Sequence, residues 1–137
     1  MNMKRETDLA QEQESKLLHE LCQRFREELR LRRYDACERE SLDAMREFPH
    51  AAQPHNLLGV LMEAKGDHLL AMRHFRAAWA LDPTYLPARY NMECTGTFFS
   101  PAAPCAIDES DCPEPPDRPG FRVEYDDRGV GRLTRRK

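Results

Sequence analysis

The sequence predicts an all-α fold, a solenoid of about five antiparallel helices, followed by a non-helical C-terminal extension. Apolar residues recur at three- and four-residue steps through most of residues 1–99, which is typical of amphipathic helices. Small residues and prolines recur after 34 residues within this region. Six of the ten prolines fall between Pro101 and Pro119, where each would interrupt a regular helix, so the helical part ends near residue 100.

Length and charge exclude several classes of protein. The 137 residues are enough for one domain, and 40% of them are apolar, which is enough for one modest core in a soluble protein. The net charge of −3 argues against a strongly basic nucleic-acid binder. No run of 18 apolar residues is present, so we expect no membrane span, and the polar stretch from Met1 to Glu14 carries no secretory signal. We therefore expect a cytoplasmic protein.

Two helices are predicted in the first fifty residues. The first carries one apolar stripe, made of Leu17, Leu18, Leu21, Cys22, Phe25 and Leu29, and its last turn is followed by cations that suit a helix C-terminus. The second runs from Tyr34 to Phe48 and stops at Pro49.

Three further helices are predicted between residues 53 and 98. One covers Gln53 to Ala64 and ends at Gly66, which can adopt the left-handed conformation that closes a helix. Asp67 is a natural N-cap for the next, whose apolar stripe is Leu70, Ala71, His74, Phe75, Ala78 and Trp79. The fifth follows Pro83 and reaches about Phe98.

Shifting the chain by 34 residues aligns the second predicted helix with the fourth. Cys37 meets Ala71, Ala44 meets Ala78, and Pro49 meets Pro83. A 34-residue period of helix pairs resembles the tetratricopeptide repeat family, in about two and a half repeats over residues 18–98. The family's signature positions correspond here to Leu58, Gly59, Met62, Ala71, Phe75, Ala78 and Pro83.

The resemblance implies a right-handed solenoid of helix pairs with a concave groove formed by the first helix of each pair. The groove residues that it implies for a bound peptide are His19, Cys22, Arg26, Gln53, Asn56, Val60, Glu63 and Tyr90. Some family members clamp a C-terminal carboxylate there, but Cys22, Arg26, Leu57, Pro87 and Asn91 occupy the clamp positions in this chain. Because Arg26 is their only cation, binding of a chaperone tail is not expected.

No catalytic or metal-binding motif stands out. The histidines at 19, 50, 55, 68 and 74 form no His-Glu-x-x-His pair, and the chain has no glycine-rich phosphate loop and no Gly-x-Ser-x-Gly motif. Five cysteines, an odd number, fit a set of reduced thiols, with a disulfide or a metal between Cys105 and Cys112 left open. We expect neither an enzyme nor a cofactor.

The chain divides into a helical domain over 1–99, a proline-rich acidic linker over 100–120 and a tail over 121–137. The linker carries five acidic residues and one arginine, which predicts an extended, solvated segment. In the tail, Phe121, Val123 and Tyr125 alternate with charged residues, the pattern of a strand in a small β-hairpin. A lone hairpin is marginal in water, so we expect the tail to order firmly only against a partner.

The functional prediction is a non-enzymatic adaptor or scaffold that binds a protein or peptide segment in the groove. The alternative is a nucleic-acid-associated regulator that uses the basic end of the tail, Arg132, Arg135, Arg136 and Lys137. A homo-oligomer is left open.

Overall fold

Five α-helices follow one another along the chain in the computed structural model, which describes residues 3–95, 105–113, 121–125, 128 and 131–135. The helices are α1 (Met3–Arg30), α2 (Tyr34–Glu47), α3 (Gln53–Ala64), α4 (His68–Leu81) and α5 (Leu86–Thr95). A short 3₁₀ helix (Glu109–Asp111) and two strands, β1 (Phe121–Tyr125) and β2 (Gly131–Arg135), complete the described elements.

Each helix packs against the next helix in the sequence, and α1 also contacts α3. The predicted all-α fold is thereby confirmed, because consecutive packing of this kind is consistent with a helical solenoid. The bounds of α2, α3 and α4 agree with the sequence prediction to within one residue. The predicted end of the fifth helix near Phe98 lies outside the described residues.

The turn between α3 and α4 has the local chemistry that the sequence indicates. Gly66 adopts a left-handed φ of 84°, and the amide of Asp67 bonds to the carbonyl of Met62 across it. The Asp67 carboxylate then accepts a hydrogen bond of 3.1 Å from the amide of Leu70 and so caps α4. These two features join α3 and α4 as a tight antiparallel pair.

The core depends on close approach between α3 and α4. A Cβ atom added to Gly59 would overlap the ring of Phe75, and Phe75 is fully buried, so only glycine fits at this crossing. Ala71 and Ala78 are also fully buried, as the repeat alignment predicts. Two further signature residues, Leu58 and Met62, are also buried, whereas Pro83 is exposed. Trp79, predicted to face the core, keeps 43% of its surface exposed.

The two C-terminal strands pair antiparallel, with Val123 opposite Leu133 at the centre of the register. Most of the turn between them, including residues 126, 127, 129 and 130, lies outside the described part of the chain. The same holds for the side chains of both strands and for Arg136 and Lys137, so the predicted ordering of the tail on a partner stays a prediction.

The expectation of a solvated linker over residues 100–120 is wrong for residues 105–113, called here the docked segment. Ala106 is fully buried, Ile107 is 6% exposed, and Ile107 belongs to the same hydrophobic cluster as residues of α1 and α3. The proline pattern correctly excludes a regular α-helix over these residues, yet two apolar residues among the acidic ones are buried against the helices.

Within the described residues, every helix is either too short or too polar to cross a lipid bilayer.

Replacing Ala71 or Ala78 by leucine should lower the free energy of unfolding by about 1–3 kcal/mol, because a fully buried alanine leaves no room for three more heavy atoms. Urea unfolding of the full chain measures the change. Ala80→Leu on the exposed side of α4 is the matched control and should shift stability by less than about 0.5 kcal/mol. Equal effects at the three positions would contradict the assigned packing.

Candidate functional site

Three helices place polar side chains around the docked segment. Arg26 comes from the C-terminal part of α1, Asn56 from the first turn of α3, and Asn91 from the middle of α5. We call the surface that these three residues mark the groove. Two of the three, Arg26 and Asn56, are among the groove residues that the sequence predicts, and residues 105–113 lie against them.

Two asparagine side chains hold the main chain of Ala106. The amide of Ala106 donates to Asn91 Oδ1 at 2.7 Å, and the carbonyl of Ala106 accepts from Asn91 Nδ2 at 2.8 Å. Asn56 Nδ2 donates to the same carbonyl at 3.0 Å, and its Oδ1 accepts from Asn91 at 2.9 Å. Both asparagines are fully buried, so these bonds satisfy groups that would otherwise be costly to bury. These hydrogen bonds are made to the backbone atoms of Ala106 and not to its side chain.

Arg26 binds the acidic side chains of the docked segment. Its Nη1 and Nη2 donate to the two carboxylate oxygens of Asp111 at 2.9 and 2.8 Å, a bidentate pair. Its Nη2 also lies 3.2 Å from Asp108 Oδ1. One guanidinium therefore contacts two carboxylates.

The docked segment is folded on itself in a way that brings its two aspartates together. Asp111 Oδ2 accepts from the amides of Ile107 at 3.0 Å and Asp108 at 3.3 Å. Asp108 in turn caps the 3₁₀ helix by accepting from the amide of Ser110 at 3.0 Å. The resulting turn presents Asp108 and Asp111 on one side, towards Arg26.

Burial and charge set the protonation states in the groove. Hydrogen bonds from Arg26, followed by those from the amides of Ile107 and Asp108, hold the pKa of Asp111 below its ordinary value. The bond to Asp111 raises the pKa of Arg26. Burial raises the pKa of Cys22 to about 12 and that of Cys105 to about 11, so both thiols stay protonated near neutral pH. The groove thus offers one fixed cation, two neutral amides, the carboxyl group of Glu63 and protonated thiols.

The docked segment leaves a cleft on each side. One, of about 420 Å³, is lined in part by three of the predicted groove residues, His19, Cys22 and Gln53, together with the buried Tyr85. The other, of about 670 Å³, is lined in part by four more, Arg26, Val60, Glu63 and Tyr90. Asn56, the eighth predicted residue, contacts the segment directly. The structure therefore brings all eight predicted residues around one surface.

Sequence reasoning missed Asn91 as a groove residue and missed the segment itself. Asn91 enters the sequence prediction only as the occupant of a carboxylate-clamp position, yet its amide makes three of the four hydrogen bonds at Ala106 and Asn56. The signal that could have found the segment is the unbalanced charge. Arg26 faces the groove without a predicted partner, while Asp108 and Asp111 lie in a segment with one arginine.

The other polar groups of the described residues form no metal centre. No group of three or more histidine, cysteine, aspartate or glutamate side chains within the described residues is placed to hold a metal ion. Cys105 and Cys112 are free thiols. His55 and His74 lie with ring centroids 6.0 Å apart, and burial lowers the pKa of both.

The sequence matches no protein-family model, and no similar protein was found among curated proteins or solved structures.

Replacing Asn91 by alanine should lower the free energy of unfolding by about 1–3 kcal/mol, because the amide of Ala106 and Asn56 Oδ1 would both be buried without a partner. Hydrogen exchange at Ala106 should accelerate. Glu93→Ala is the control, because Glu93 lies two residues after Asn91 on the same helix and forms an exposed ion pair with Arg89. This change should alter neither measurement. Unaltered exchange at Ala106 in Asn91→Ala would contradict the described bonds.

Acid should loosen the docked segment. Because the pKa of Asp111 is lowered in the folded chain, its contribution to stability is present above its ordinary pKa of 3.8 and is lost as the pH falls through the lower folded value. The free energy of unfolding should therefore fall more steeply below pH 4 in the wild type than in Asp111→Asn. Asp43→Asn, at an exposed position on α2, is the control. Parallel curves for wild type and Asp111→Asn would rule out this role for Asp111.

Proposed function

We propose that this chain is a non-enzymatic protein-interaction module, built on tetratricopeptide-like repeats, that binds an extended protein segment in the groove. The observation that carries the proposal is the pair Asn56 and Asn91, which together donate two hydrogen bonds to the carbonyl of Ala106 and accept one from its amide. A surface equipped in this way recognises a polypeptide main chain.

The arrangement suits binding better than catalysis. The asparagine amides are fully occupied in positioning a backbone, and Arg26 is occupied in contacting carboxylates. The buried thiol of Cys22 and the partly buried thiol of Cys105 are protonated at neutral pH and so are poor nucleophiles. These properties position a chain and leave it chemically unchanged.

Apolar surface supplies the remaining contribution to binding. Val60 of α3 is 4% exposed and belongs to the cluster that receives Ile107. Burial of one isoleucine side chain contributes about 1.5–3 kcal/mol before ordering costs are subtracted. An aliphatic side chain next to the clamped peptide unit is therefore part of the proposed recognition.

The proposal is tested by selecting peptides from a random library against the full chain carrying Asp108→Asn and Asp111→Asn. This double variant, called here the open variant, removes the charges that face Arg26 and keeps the size and capping ability of both side chains. Selected peptides should bind in the micromolar range. Their binding should shift NMR signals of Asn56 and Asn91.

Charge reversal identifies the surface that the selected peptides use. Arg26→Glu or Glu63→Lys introduced into the open variant should change the affinity at least about tenfold, since both residues line the groove. Arg24→Glu, on the same helix but paired with Glu40 of α2, is the matched control and should leave affinity unchanged. A library that yields no binders, or binders insensitive to both groove variants, would refute the proposed function.

A further inference from the structure

We infer that the docked segment is an internal ligand that closes the groove, and that the external ligand is an acidic protein segment of the same chemistry. The chemistry is a small residue and an aliphatic residue followed by two aspartates, in the order of Ala106, Ile107, Asp108 and Asp111. This inference rests on the proposed function, since it names the partner class and the regulation of the same groove.

Each part of the docked segment fits a different part of the groove. The peptide unit at Ala106 meets the two asparagines, where a side chain larger than methyl would have to enter a fully buried site. Ile107 enters the apolar cluster, and Asp111 meets Arg26 at 2.8 and 2.9 Å. The order small, aliphatic, acidic is therefore imposed by the order of the groove's own surfaces.

Charge determines the class of ligand. Arg26 is the cation that contacts the segment, and Asp108 and Asp111 both lie within 3.2 Å of it. A ligand without a carboxylate would leave the guanidinium without its bidentate partner, and a basic ligand would be repelled. The complementary partner is thus an acidic polypeptide.

The contacts of the docked segment also allow exchange. Arg26 keeps 37% of its side chain exposed, so an incoming carboxylate can reach the guanidinium while Asp111 is still nearby. The clefts of about 420 and 670 Å³ flank the segment, and a longer ligand would contact side chains in them, such as His19 and Tyr90, in addition to the groove itself. An external ligand can therefore gain contacts that the internal one does not make.

Covalent linkage keeps the groove closed in the absence of such a ligand. Only residues 96–104 connect α5 to the docked segment, and a connection this short gives an effective concentration in the millimolar range. The apparent affinity for an external segment is reduced by the fraction of molecules in which the groove is open. The isolated chain should accordingly bind poorly in trans.

The experiment uses a blocked synthetic peptide of residues 104–114 under reducing conditions, with binding measured by fluorescence anisotropy. The peptide should bind the open variant about tenfold or more tightly than the wild-type chain, because the docked segment of the open variant competes less well. A peptide with asparagine in place of both aspartates should bind the open variant about tenfold or more weakly than the native peptide.

Matched variants show whether Arg26 accounts for the difference. Arg26→Ala in the open variant should abolish discrimination between the native and the asparagine peptide, while Arg24→Ala should retain it. Helical circular dichroism and a cooperative melt establish that each variant is folded. If the open variant does not fold, Asp111→Asn alone replaces it, since that change leaves Asp108 and its cap intact.

Each outcome decides between the inference and the proposed function. Equal binding of the native peptide by wild type and open variant would show that the docked segment does not close the groove, and would overturn the inference alone. Equal binding of native and asparagine peptides would overturn the acidic partner class. If library peptides bind but the native peptide binds neither chain, the inference fails and the proposed function stands. Failure of both kinds of peptide would refute both.

Discussion

The bonds between Asn91 and the main chain of Ala106 are the constraint on which the rest of the groove depends. The main chain of a residue can be fully buried only if its amide and carbonyl are both satisfied, and here one side-chain amide bonds to both groups of Ala106, at 2.7 and 2.8 Å. Asn56 is bound to Asn91 and so orients it, which links α3 to α5 through the segment. Once Ala106 is fixed, Ile107 can reach the apolar cluster and Asp111 can reach Arg26.

Recognition of the backbone and recognition of charge make different contributions at this site. The asparagine contacts do not depend on which residue is bound, because every residue except proline offers the same amide and carbonyl. Arg26 and the apolar cluster supply the selection, since a bidentate guanidinium favours a carboxylate in one geometry. The ion pair between Arg26 and Asp111 is partly exposed, so it adds only modest stability. Because Asp111 lies at the far end of the 3₁₀ turn, the main effect of the pair is to fix the register in which the segment lies in the groove.

The sequence predicts the helices far better than it predicts what covers them. Periodicity, Gly66 and Asp67 are local signals, and they place α2, α3 and α4 to within one residue. The eight predicted groove residues do lie together because the helix pairs set which faces meet. The docked segment escaped prediction because its attachment is non-local. Asn91 and Ala106 are fifteen residues apart and Arg26 and Asp111 eighty-five, and two buried apolar residues among five acids leave no periodic pattern.

The proposed binding would be coupled to stability, because the docked segment is part of the core and occupies the groove. Ile107 belongs to the same cluster as Phe25, Leu57 and Phe75, so releasing the docked segment uncovers part of the core. Under the proposed function, a ligand that replaces it would have to cover the same apolar surface and satisfy the same asparagines, or the helices would lose stability as it bound. A mismatched ligand would then be disfavoured both by its own poor contacts and by the core that it failed to cover. In the proposed exchange, these two penalties would give a short helical array more selectivity than its few contacts with a ligand would supply alone.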